Sequence, residues 1–160
     1  LIARPGDEDA LARAVGRTHF KYTQYVNRMH DRSGHLWQNR FYSCPMDARH
    51  YLAAMRYVER NPLRAKLVRR PWDYRFSRAR VHCGDSRGDA ITDRSRWRQE
   101  PGRWRKLLDE RDDEFVELIR LRTHTGRPLG SDSFVSKLES VVGRRLRALP
   151  VGRPRRPTSQ

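Results

Sequence analysis

Asp47-Ala48-Arg49-His50-Tyr51-Leu52-Ala53-Ala54-Met55-Arg56-Tyr57-Val58-Glu59-Arg60-Asn61-Pro62 reads as one capped helix. Asp47 is a capping residue type, since its carboxylate accepts from the first free backbone N–H groups. Tyr51, Leu52, Ala54, Met55 and Val58 fall on one apolar face of that helix. Pro62 biases Asn61 away from helical angles, so the helix is predicted to end near Arg60. At about 100° per residue, Tyr57 and Asn61 lie about 40° apart on a stripe turned away from that face, with His50 two turns behind. A phenol, an amide and an imidazole thus point together. A deprotonated phenol attacks phosphorus when a cation neutralises the phosphate. An amide oxygen one turn on can ligate a hard divalent metal. A plainer reading stands beside this one. Tyr57 is then a half-buried tyrosine with a solvated hydroxyl, and Asn61-Pro62 is the cap and first residue of a following helix.

Upstream, residues 8–30 carry Leu11, Ala14, Val15, Tyr22, Tyr25, Val26 and Met29 on one face, with Thr18 bridging. That spacing predicts a long amphipathic helix, with Asp7 as its cap. Asp31-Arg32-Ser33-Gly34 reads as a turn. His35 to Cys44 is aromatic-rich and reads as extended or looped. Downstream, Pro62 to Val68 suggests a short further helix. Trp72, Tyr74 and Phe76 alternate and predict an extended segment packed on a core. A helix around 102–109 is expected to dock through Trp104, Leu107 and Leu108. Two more are expected over 113–122, with Phe115, Leu118 and Ile119 inward, and over 132–142, with Phe134, Leu138, Val141 and Val142 inward. Gly143 is the stop signal of the last one.

The chain has 160 residues, 35 basic and 19 acidic, for a net charge of +16. Its apolar runs fall far short of the roughly 18 residues of a membrane helix, and the first residues lack the apolar core of a secretion signal. Two cysteines, Cys44 and Cys83, are too few for a disulfide framework. With His50 and His82 they match no zinc spacing. A cytoplasmic, reduced setting follows as the default. The charge is uneven: +3 over residues 1–59, +10 over 60–106, −3 over 107–142 and +6 over 143–160. Such a field attracts polyanions, nucleic acid above all. Arginine outnumbers lysine 31 to 4, and its planar fork matches phosphate. The stretch Gly152-Arg153-Pro154-Arg155-Arg156 has the Arg-Pro core of a minor-groove hook, and reads equally as a phosphate-binding basic tail. Trp37, Phe41 and Tyr42, interleaved with Gln38, Asn39 and Arg40, suit either base stacking or core packing.

Several of these residues together carry a resemblance. Arg28, Arg32-Ser33-Gly34-His35-Leu36-Trp37-Gln38-Asn39-Arg40-Phe41-Tyr42-Ser43 and Arg56-Tyr57-Val58-Glu59-Arg60-Asn61-Pro62-Leu63-Arg64-Ala65 resemble the REP-associated tyrosine transposases, members of the single-tyrosine HUH family. Pro71, Asp73-Tyr74, Ser77, Thr125-Gly126-Arg127-Pro128-Leu129-Gly130 and Gly143-Arg144-Arg145-Leu146 continue it. The resemblance implies an α+β fold: part of a ferredoxin-like antiparallel palm with the tyrosine helix, followed by a mostly helical C-terminal region. It implies cleavage and rejoining of single-stranded DNA at palindromic repeats through a 5′-phosphotyrosine. Tyr57 is then the nucleophile. Asn61 is one ligand of Mg²⁺ or Mn²⁺, and a His-hydrophobic-His pair supplies the others. Arg32, Trp37, Gln38, Arg40, Arg60, Arg64, Arg153, Arg155 and Arg156 are the expected DNA contacts.

The chain departs from that pattern at the histidines. Its six, at 19, 30, 35, 50, 82 and 124, contain no pair separated by one residue. The expectation is that the pair and its strands precede Leu1. These 160 residues are then expected neither to hold the metal tightly nor to cleave DNA. The organisation expected is a palm portion with the nucleophile helix over 1–82, a linker over 83–100, a helical region over 101–147 and a disordered basic tail over 148–160. Single-stranded or hairpin DNA is the expected partner, with a homodimer possible in principle, no membrane contact and a location at the bacterial nucleoid. A non-enzymatic hairpin DNA- or RNA-binding protein is the alternative.

Overall fold

The computed structural model describes residues 1–38, 41–85, 97–110 and 113–149, apart from the side chains at 113 and 114. Its elements are α1 (Ala10–Met29), α2 (Tyr51–Glu59), α3 (Asn61–Arg64), a 3-10 turn (Pro71–Asp73), α4 (Ala79–His82), α5 (Pro101–Asp109), α6 (Asp113–Thr125) and α7 (Asp132–Val142). Caps explain several boundaries. Glu100 accepts from Gly102 N at 3.0 Å and Arg103 N at 2.9 Å, and Pro101 follows at the first helical position. Ser131 Oγ accepts from Phe134 N at 3.3 Å. Gly143 takes φ +66°, a left-handed angle that suits glycine, and ends α7. At α1 the cap position falls to Asp9, while Asp7 accepts from Asp9 N at 3.0 Å and pairs with Arg13 at 2.9 Å.

The expected α+β palm is not what the chain forms. Among the described residues there is no strand, only an isolated parallel bridge between Met46 and Leu129. Leu129 N donates to Pro45 O at 2.8 Å and Asp47 N to Leu129 O at 3.1 Å. Prolines sit beside both bridge residues, at 45 and 128, and a proline has no N–H with which to extend a ladder. The extended segment expected at Trp72–Phe76 is also replaced. Pro71 opens a 3-10 turn, Ser77 N closes a further turn onto Tyr74 O at 3.0 Å, and Phe76 stands 74% exposed. At the end of α7, Val141 and Val142 were expected inward, yet Val141 is 77% exposed. After Gly143 the chain turns back onto Glu139, which accepts from Leu146 N at 2.7 Å, so the last turn of α7 projects outward.

The hub is α2, which packs on α3, α5 and α6. Two apolar clusters flank it. Ala79, Cys83, Trp104 and Leu108 form one, with Met55, Trp72, Trp97 and Leu107 against it. Ala54, Ile119 and Leu129 form the other, with Ile2, Met46, Tyr57 and Phe115 against it. Between α2, α4 and α5 lies a charged residue that periodicity alone leaves unremarked. Glu59 is 2% exposed; it accepts from Trp104 Nε1 at 2.8 Å and pairs with His82 Nδ1. The His82 ring stacks on Trp97 with centroids 3.9 Å apart. A buried carboxylate is tolerable only when both oxygens are satisfied, and these contacts satisfy one oxygen each.

Asp47 does for the other cluster what Glu59 does for the first. Its Oδ1 accepts from Arg49 N at 3.1 Å and His50 N at 3.2 Å, and meets His50 Nδ1 at 2.6 Å. Its Oδ2 accepts from Ser131 N at 2.9 Å, which ties the lead-in of α2 to the start of α7. The chain passes close here. A Cβ at Gly130 would meet Phe134 Cδ1 at 2.3 Å, so a larger residue there would have to push the Phe134 ring aside. By contrast α1 has no buried residue along its 20-residue length. Among the described residues no helix is long and apolar enough to cross a membrane.

Candidate nucleic-acid interface

Tyr57 lies in a shallow cleft between α2 and α6, lined by Ala53, Arg56, Tyr57, Arg60, Arg64, Phe115 and Val116. Arginines at 56, 60 and 64 follow at steps of four, which puts them on one side of the α2–α3 rod. Their guanidiniums have different tasks. Arg56 Nη2 donates to Glu110 O at 2.6 Å, and Arg60 Nη1 donates to Leu108 O and Glu110 O. These two close the C-terminal carbonyls of α5, where cations are favoured by the helix dipole. Arg64 instead lies over the Tyr57 ring, 4.2 Å from its centroid. Its Nη2 donates to Tyr57 O at 2.6 Å and to Asn61 Oδ1.

A further arginine reaches the tyrosine from α6. Arg120 donates to Glu117 Oε1 at 2.8 Å, and the Tyr57 hydroxyl and Glu117 beside it both help to hold its guanidinium charged. Burial pushes the Arg64 guanidinium below its ordinary value; a Tyr57 phenolate would oppose that, and the charges of Arg120 and Arg60 add to it. The phenol thus sits among cations. Nothing local in the sequence signals Arg120, which is 63 positions from Tyr57.

The tyrosine stripe read from spacing is only partly realised. Tyr57 and Asn61 do face one site, joined through Arg64. His50 does not; its ring turns to Asp47 and stacks on Phe115 with centroids 6.4 Å apart. The His50 partnership holds the Asp47 carboxyl down to about 2, aided by the Ser131 N–H. Asn61 caps nothing with its side chain. Its oxygen faces a guanidinium, and a divalent cation at that oxygen would meet the Arg64 charge beside it. Among the described residues no three of His, Cys, Asp and Glu gather as a metal site. Next to the Asn61 oxygen the described residues thus place a guanidinium, not a second oxygen or nitrogen donor for Mg²⁺ or Mn²⁺. Nor do Cys44 and Cys83 meet: Cys83 is in the Trp104 cluster and Cys44 packs against the Leu129 cluster, its Sγ 3.2 Å from Arg127 O.

The other expected DNA contacts are scattered. Arg32 is exposed just past α1, where its N–H donates to Asn27 O at 2.9 Å. Trp37 is 43% exposed and stacks on His19 of α1, centroids 4.1 Å apart, with Tyr22 at 6.0 Å. Gln38 beside it is exposed. Arg40, Arg153, Arg155 and Arg156 lie outside the described residues, as does most of the expected 83–100 linker. Along α1, Tyr22, Tyr25 and Met29 stay exposed. Arg17, Lys21 and Arg28 run along the adjoining side of the same helix, by its regular turn. No protein-family model matches the chain, and neither does any curated protein or solved structure.

Proposed function

We propose that this chain grips single-stranded or hairpin DNA, as the DNA-binding portion of a single-tyrosine transposase. The observation that carries the reading is the aromatic surface of His19, Tyr22 and Trp37 on an uncovered, basic-edged helix. Unpaired bases stack on such rings, while arginine and lysine at the rim take the phosphates. The excess of 16 positive charges supports the same partner. Cleavage through Tyr57 is not part of what these residues do alone, because the Asn61 oxygen is turned to Arg64 rather than left for a metal. A location at the nucleoid follows from the DNA reading. Pairing of two chains would use the same face of α1, and sedimentation with and without DNA separates the two.

Fluorescence anisotropy with a labelled oligothymidine and a labelled hairpin tests the proposal. Affinity is expected to fall steeply with salt, and Trp37→Ala is expected to weaken oligothymidine more than duplex. Binding that ignores both salt and Trp37 overturns the DNA reading. A denaturant-resistant Tyr57–DNA adduct formed by these 160 residues overturns the statement that they bind without cleaving.

A further inference from the structure

We infer that the cleft between α2 and α6 is a phosphate seat built from guanidiniums, with Arg64 on its floor and Arg120 at its mouth, and that it works without a divalent metal. It rests on the DNA reading for whose phosphate is bound. The seat itself stands on the geometry.

Three observations converge on it. First, Arg64 has charged donors to spare. Its Nη2 is spent on Tyr57 O and Asn61 Oδ1, but Nε and Nη1 are shielded from solvent with no acceptor among the described residues. A shielded charged donor with no acceptor is costly, and it creates a demand for an oxygen ligand. Second, the cations crowd. Arg64 is partly desolvated and faces the charges of Arg120 and Arg60, and no carboxylate touches it among the described residues. An arriving anion relieves this repulsion, whereas an arriving metal ion adds to it. Third, access is provided. The Arg120 side chain is 52% exposed and lies one turn beyond Val116, which lines the cleft. Its hold on Glu117 is a solvent-exposed pair, weak enough to share with a second anion.

The exchange is simple. A phosphate oxygen takes N–H groups of Arg120, in the fork geometry that guanidinium offers. The Tyr57 hydroxyl, which lies beside Arg120, donates its O–H to the same phosphate. Arg64 pivots off the ring face to present Nε and Nη1. No covalent bond forms or breaks. A phosphodiester of a single DNA strand and inorganic phosphate share the chemistry, so both serve as probes.

The test uses the full chain in EDTA, with ¹⁵N spectra that report the arginine Nε–H groups. Inorganic phosphate is titrated first and an oligothymidine second. The Arg64 and Arg120 signals are expected to move saturably with both probes. Arg120→Gln, at an exposed position, is expected to keep its backbone spectrum and to lose at least tenfold in phosphate affinity. Adding Mg²⁺ in place of EDTA is expected to leave phosphate affinity unchanged. Absence of a saturable shift, unchanged affinity in Arg120→Gln, or binding that requires Mg²⁺ each overturns the seat. Oligothymidine binding without any response at Arg64 and Arg120 removes the seat and leaves the DNA reading. A phosphate response with no oligothymidine binding at any salt removes the DNA reading and leaves the seat.

Discussion

Trp104 and Trp37 both donate the indole N–H and both have an aromatic neighbour, yet they live in opposite surroundings. Trp104 is wholly buried, gives its N–H to Glu59 at 2.8 Å, and meets Trp97 edge-on. Trp37 gives its N–H to a backbone carbonyl at the longer distance of 3.4 Å and keeps one side to solvent. The difference comes from the number of elements that converge. Around Trp104, α2, α4 and α5 each contribute a wall. Among the described residues, Trp37 meets His19 and Tyr22 of α1, a helix with no buried residue. A large aromatic is a core residue in one place and a recognition surface in the other, and its type alone does not say which.

The comparison breaks most easily at its buried end. Trp104→Ala removes an indole from the α4–α5 cluster and leaves Glu59 Oε2 without its donor. The cavity and the orphaned oxygen together are expected to cost about 3–5 kcal/mol of folding stability. Urea unfolding measures it. A loss below 1 kcal/mol, on the order of a surface substitution, would mean that the wall around Trp104 is not what holds α2 to α5.

At the exposed end the sign of the comparison reverses. Trp37→Ala is expected to leave folding nearly unchanged and to cost about 1–3 kcal/mol in binding of oligothymidine, the worth of one stacked base. The same variant therefore needs two readings, unfolding and anisotropy. If stability falls and DNA affinity does not, Trp37 belongs with Trp104 as a packing residue.

Much of the helical content was legible, and for one reason. Apolar steps of three and four over 8–30, 102–109 and 132–142 are local, and α1, α5 and α7 lie within or near those bounds. The docking residues Trp104 and Leu108 were legible in the same way. Glu59 was not. A glutamate one turn after Met55 looks solvated, and its partners come 23 and 45 residues later. Arg120 beside Tyr57 was hidden for the same reason. The absence of strands among the described residues has a different cause. Alternation at Trp72–Phe76 reads as an extended segment, but a strand exists only with a partner ladder, and prolines at 45 and 128 flank the bridge between Met46 and Leu129. At the candidate site, spacing put Tyr57 and Asn61 on one stripe, and the metal role of Asn61 was an expectation from the resemblance. In the structure the Asn61 oxygen accepts from Arg64, a neighbour three residues on that spacing did not single out.

Asp47 tests whether a half-buried carboxylate can act as Glu59 does. Its carboxyl is held down to about 2 by His50 and by backbone N–H groups, against roughly 4 for a free aspartate. The folded state thus favours the ionised form. That stability is fully present above about pH 4 and is lost as pH falls towards about 2. Chemical denaturation across that window should show the decline, and Asp47→Asn should flatten it. A pH dependence that is the same in Asp47→Asn assigns the decline to other groups and makes the α2–α7 tie incidental.

The smallest effect is expected where the helix is barest, and it is the sharpest test of the contrast. Tyr22, Tyr25 and Met29 lie on the apolar stripe of α1, and Tyr25 is 59% exposed. A side chain that folding has barely removed from water has little burial energy to lose. Replacing any one of them by Ser should therefore change stability by no more than about 0.5 kcal/mol, the range of ordinary surface positions. Urea unfolding at two protein concentrations makes the result decisive. A small loss, independent of concentration, leaves the stripe bare and free for bases. A loss of about 2 kcal/mol or more, with a midpoint that rises with concentration, means that a second copy of the chain covers it. In that case DNA and self-association compete for one surface, and the aromatic face that carries the DNA reading is a dimer interface instead.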